Sequence, residues 1–144
     1  MDLKQQNKLI ERKNLSYQAM FYSIQRIDLL IIAISGGGIY VCLETIKFLS
    51  EKDLELNCLI KISGFFFLAS IITNILAQVF GQLSNEQDYL MCESKLDEDP
   101  PELINKYDSM SELYSKITKT LNHISIFILF TGLVLIMTYF SFIF

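Results

Sequence analysis

The sequence predicts an all-α protein: a three-span transmembrane helical bundle whose long helices extend into a cytoplasmic helical stalk and which assembles as a homo-oligomer. Three observations carry this expectation. Half of the 144 residues are hydrophobic, and they collect in three runs almost free of charge. Only two prolines interrupt the chain, and they are adjacent. Helix-spaced apolar residues also continue well beyond the runs themselves, so the membrane helices have no evident reason to stop at the membrane border.

The runs fix the number of spans. Ile124 to Phe144 has no charged side chain over 21 residues, which at ~1.5 Å per residue matches a ~30 Å hydrocarbon core. Leu59 to Phe80 carries only Lys61, near one end where its stem can snorkel. Leu29 to Leu43 is uncharged over 15 residues and spans if Glu44 and Lys47 sit at the rim. The chain therefore reads as one membrane domain: a cytoplasmic amphipathic helix over 1–26, spans over 27–49, 57–81 and 123–144, and a cytoplasmic helical hairpin over 82–122. The N-terminal MDLKQQNKLIERKN has no signal-peptide core.

Orientation follows from the cations. Lys4, Lys8, Arg12, Lys13 and Arg26 precede the first span, and Lys95, Lys106, Lys116 and Lys119 lie between the second and third. The first loop offers only Lys47, Lys52 and Lys61. The excess places the N-terminus and the hairpin in the cytoplasm and the C-terminus outside. The many Ile, Asn, Lys and Phe residues suggest an AT-rich bacterial or phage genome.

Along the chain, Leu3, Ile10, Tyr17, Phe21 and Ile24 form the apolar line of the first helix. That seam continues in the membrane as Asp28, Ile31, Ser35, Gly38 and Cys42. Gly36-Gly37-Gly38 admits two readings, close approach of a neighbouring helix or local unwinding. Ser50 or Asp53 is positioned to cap the second helix. Asp97-Glu98-Asp99-Pro100-Pro101 is the one strong breaker, with Asp99 able to cap a third helix that opens on proline. From there Leu103, Tyr107, Met110, Tyr114, Ile117, Leu121, Ile124 and Ile128 alternate in steps of four and three, a seam that enters the third span unbroken.

Enzyme chemistry finds little support. No phosphate-binding glycine loop, zincin motif or nucleophile elbow is present. Neither a cofactor nor a metal is called for, since His123 is the sole histidine. Asp28 and His123 fall at matching depth on the inner border and read as a structural polar pair rather than an acid–base couple. Three cysteines give no framework; a Cys42–Cys58 bridge is conceivable, but small buried hydrophobes are the simpler account.

The second span holds the functional lead. Ser63, Ser70, Asn74 and Gln78 lie on one helical stripe, interrupted by Phe67 and widened inward by Gln82 and Asn85. Such a stripe faces either water or another helix. As a pore lining it implies several copies around an axis, with a ring of Phe67 closing the path by dewetting. As packing glue it implies a membrane anchor whose stalk recruits a partner protein. Lys4, Lys8, Arg12 and Lys13 supply a basic surface for an anionic ligand such as a nucleotide or short oligonucleotide.

In layout, with membrane helices running on into cytoplasmic helices in a chain under 200 residues, the sequence resembles small bacterial anti-phage effectors: SLATT-type proteins and the channel effector of the Hailong system. The resemblance is architectural and carries over no functional residue; GGGIY and DEDPPE are simply what stands here. It implies a membrane-depolarising channel of the bacterial inner membrane, controlled by a nucleotide-type signal from a partner enzyme.

Overall fold

The computed structural model describes residues 3–52 and 58–143, with side chains described from residue 25 onward and at Tyr22, apart from Leu96 and Ile143. Three helices account for nearly all of them: α1 (Leu3–Glu51), α2 (Cys58–Leu96) and α3 (Pro101–Ile143). At 49, 39 and 43 residues, each is longer than the ~20 residues that cross a bilayer. Each also contains a window apolar enough to do so. The chain is thus all-helical, with three candidate membrane spans. The amphipathic line from Leu3 to Ile24 lies outside the described side chains.

α1 runs unbroken through its three glycines, and no glycine adopts a positive φ. Close approach, not unwinding, explains the motif, and it explains only one of the three. A Cβ on Gly36 or Gly37 would meet nothing within 4 Å, whereas one on Gly38 would lie 2.6 Å from Cε2 of the Phe67 ring. The expected α1 seam is otherwise observed. Ile31, Ser35 and Cys42 are buried, and the line ends at buried Leu49.

The α2–α3 turn stops both helices by backbone means. Glu98 adopts φ 56°, and the Asp99 amide donates to the Ser94 carbonyl at 3.0 Å. That is the αL residue and long-range bond of a Schellman ending, here on Glu rather than Gly. α3 then begins at Pro101, its first turn bonded to the Pro100 carbonyl through Leu103 at 3.0 Å and Ile104 at 3.4 Å. The cap position is therefore Pro100, one residue beyond the expected Asp99. Ser50 lies inside α1 and does not cap α2, while Asp53 falls outside the described residues.

α2 and α3 pack along nearly their whole length, and α1 lies mainly against α2. Small residues recur every seven positions on both partners of the antiparallel pair. Ser63, Ser70, Ala77 and Ser84 on α2 run against Gly132, Ser125, Thr118 and Ser111 on α3. Three of these levels are closed by a hydroxyl reaching the opposite backbone. Ser63 Oγ donates to the Gly132 carbonyl, Ser70 Oγ to that of Ser125, both at 2.8 Å, and Ser84 Oγ to that of Ser111 at 2.9 Å. Ser111 Oγ returns a bond to the Ser84 carbonyl at 3.2 Å. Small side chains let the backbones approach, and the approach is what brings a carbonyl within a hydroxyl's reach.

The expected α3 seam holds in part: Leu103, Tyr107, Tyr114, Ile117, Leu121 and Ile128 are half-buried, and two of its positions turn outward. Met110 and Ile124 are exposed, while Ser111 and Ser125 face α2. Tyr114 keeps its inward place, its ring centroid 6.1 Å from that of Phe80. The apolar core is carried by Ile31, Leu49, Ile60, Phe67, Leu129, Ile136 and Tyr139. Large apolar side chains on the outer faces, such as Phe65, Phe127 and Leu29, are about 70 % exposed, as a surface in contact with lipid requires.

Candidate functional site: a polar cleft beside a closed seam

The stripe of the second span divides in two. Its first half turns into the protein: Ser63, Phe67, Ser70 and Asn74 are all 0 % exposed. The two serines are bonded to α3 carbonyls as described above. Phe67 sits between the helices as a packing side chain, its ring against Gly38 of α1 on one side and against Gly132 of α3 on the other, where an added Cβ would stand 3.2 Å from it. Within one chain these four residues line no open path. The expected ring of Phe67 has no room to form at that face while the three helices stay packed.

The second half opens. Gln78, Gln82 and Asn85 line a cleft of about 660 Å3 between α1 and the α2–α3 pair, along with Asp28 of α1 and Lys119 and Asn122 of α3. Its residues come from the ends of the three apolar runs: Asp28 just before Leu29, Gln82 just after Phe80, and Asn122 just before Ile124. The cleft exists because α1 leans on α2 and meets α3 little. It is therefore placed at the boundary between apolar and polar chain.

A hydrogen-bonded chain leads from this cleft into the bundle. Asn74, fully buried, donates through Nδ2 to Asp28 Oδ1 at 2.9 Å. Its Oδ1 accepts from Gln78 Nε2 at 3.0 Å. The half-buried Asp28 is thus held by an amide instead of the imidazole expected from the sequence. His123 is exposed, and its Nδ1 lies 2.6 Å from the Lys119 carbonyl one turn back on its own helix. The two residues match in depth but point to different neighbours, because α1 packs on α2 rather than on α3.

Chemically, the cleft offers one carboxylate, one ammonium and several amides. The Asn122 Oδ1 atom is buried and, among the described residues, without a hydrogen-bond partner, as is Ser35 Oγ further along α1. Among the described residues, no three His, Cys, Asp or Glu side chains gather as metal ligands would. Cys42, Cys58 and Cys92 are all free thiols, and only Cys42 is the buried small hydrophobe expected of the three. The basic candidates Lys4, Lys8, Arg12 and Lys13 belong to α1, but their side chains lie outside the described residues.

Sequence reasoning missed Asn122, Ser84, Ser111 and Ser125. The signal was present for the serines, as a small residue every seventh position on two helices of opposite direction. Asn122 carried no such signal, being one polar residue beside a histidine.

Fold and cleft together define a multi-pass membrane protein with three candidate spans. No family model, curated protein or solved structure matches the chain.

Proposed function

We propose that the chain is the subunit of a homo-oligomeric ion channel in a bacterial inner membrane, with the polar cleft as the inner mouth of the conduction path. The observation that supports this most is the Asp28–Asn74–Gln78 chain. It is a carboxylate and two amides, linked at 2.9 and 3.0 Å, near one end of the three apolar runs. An ionisable side chain at such depth is costly unless function retains it. A carboxylate at the mouth raises the local concentration of cations, and amide oxygens beside it replace part of their hydration.

The remainder of the proposal rests on charge placement and architecture. The cation excess of the N-terminal segment and the hairpin favours a cytoplasmic N-terminus and an external C-terminus. The helical lengths beyond the bilayer suit a cytoplasmic stalk that acts as the regulatory part. In the anti-phage effectors whose layout the chain resembles, that part would answer to a nucleotide-type signal, with Lys4, Lys8, Arg12 and Lys13 as its receiving surface.

One observation favours the second reading, a non-conducting anchor whose stalk recruits a partner protein. The serines of the second-span stripe are satisfied by carbonyls of their own chain, as packing glue would be. Ion flux into proteoliposomes separates the two. The channel reading expects flux from the wild type and a several-fold loss in Asp28→Asn at unchanged oligomer size, measured by cross-linking. A well-assembled wild type that passes no ion with or without an applied voltage supports the anchor.

A further inference from the structure

The cleft has a composition that neither a cation path nor a packing seam requires. Asp28 and Lys119 line the same cavity, yet the ion pair seen among the described residues is Lys116 with Glu112, on the exposed face of α3. A lone anion entering the cleft meets Asp28 and a lone cation meets Lys119. A ligand bearing both charges meets a partner at each. The amides of Gln78, Gln82 and Asn85 add donors and acceptors between them. The volume, about 660 Å3, falls within the ~300–1,000 Å3 range of small-molecule sites.

Position identifies the source. The lining residues sit where the apolar runs of all three helices end, so the cavity lies at the depth of lipid headgroups. It is lined by residues of all three helices, between α1 and the α2–α3 pair. We propose that the cleft binds the headgroup of an amine-bearing phospholipid of the phosphoethanolamine class. Its ammonium is taken by Asp28 and the cleft amides, and its phosphate by Lys119. The exposed apolar flank of α1 at Leu29 and Leu30 gives the acyl chains their surface. A headgroup seated there occupies the mouth assigned above to conduction, so this consequence rests on the channel reading. The binding itself does not.

The test is native mass spectrometry of the full chain released from nanodiscs that contain equal parts of phosphatidylethanolamine, phosphatidylcholine and phosphatidylglycerol. Retention of phosphatidylethanolamine over the other two is expected. Loss of one charge-assisted contact should cut that retention by ~10-fold in each of Asp28→Asn and Lys119→Gln. Asp28→Asn keeps an acceptor for Asn74, and Lys119 is exposed, so both variants should keep the wild-type melting temperature. Soluble phosphoethanolamine at millimolar concentration should not displace the lipid. Displacement would mark a free zwitterion as the ligand and overturn the lipid assignment. Equal retention of the three lipids, or retention unchanged in both variants, would overturn the site. No conductance enters the readout, so a failure here is distinct from a failure of the channel.

Discussion

Adjacent glycines in α1 should respond to the same substitution with opposite sign. A Cβ at Gly38 would stand 2.6, 2.7 and 2.7 Å from Cε2, Cδ2 and Cζ of Phe67, against the ~3.5–4.0 Å at which carbon atoms rest. The ring has little room to swing away, since its other edge packs on Gly132 so closely that an added Cβ there would stand 3.2 Å from it. Gly38→Ala therefore forces the helices apart or the ring off its rotamer, at ~1–3 kcal/mol. Against that stands the gain from replacing glycine in a helix, ~0.8–1 kcal/mol. Gly37→Ala collects the same gain with nothing within 4 Å to oppose it. The propensity terms cancel in the comparison, so the two variants should differ by the clash alone, ~1–3 kcal/mol. Reversible unfolding in mixed micelles would measure this, with Gly37→Ala at or above wild type and Gly38→Ala below it. Adding Phe67→Leu should recover part of the Gly38→Ala loss, a favourable coupling that only residues in contact show. Equal stability of the two alanine variants, or no coupling with Phe67→Leu, would refute the placement of Phe67 between Gly38 and Gly132.

Two further outcomes test register and orientation. Met110→Ala should leave stability within ~0.5 kcal/mol of wild type, because Met110 is exposed. Tyr114→Ala, by contrast, removes the ring against Phe80 and should cost several times more; the reverse order would contradict the inward place of Tyr114 and the outward place of Met110. With an impermeant maleimide on intact cells, exposed Cys58 should label and Cys92 only after lysis, while buried Cys42 stays unreactive in the folded protein. Labelling of Cys92 but not Cys58 from outside would invert the topology.

What the sequence made legible was long-range and apolar. Three long apolar runs, one proline breaker and the Ile31–Cys42 line each reappear in the helices. The choice between wet and packed for the second-span stripe was not legible. A serine on a membrane helix is equally suited to water and to a carbonyl on another helix. Only the approach of α3, permitted by Gly132 and Ser125 opposite, decides it for Ser63 and Ser70. The α3 seam was misread at two positions for the same reason. Reading apolar residues as the contact line put Met110 and Ile124 inward, where a close-packed pair takes serines instead. The pairing of Asp28 with His123 rested on depth alone. Depth is fixed by sequence, but azimuth depends on which helix α1 leans against, and it leans on the one that carries Asn74.

The central claim is that water and ions reach the cleft and not the seam. A chain with all three cysteines replaced by serine or alanine, carrying either Gln78→Cys or Ser70→Cys, can be reconstituted and its ion flux followed while a small cationic thiosulfonate is added from the stalk side. Gln78 is exposed and lines the cleft, whereas Ser70 is 0 % exposed and bonded to the Ser125 carbonyl. The account predicts rapid modification and a changed flux at position 78, with position 70 unreactive and its flux unaltered. Rapid block through position 70, with position 78 inert, would contradict it and return the conduction path to the second-span stripe.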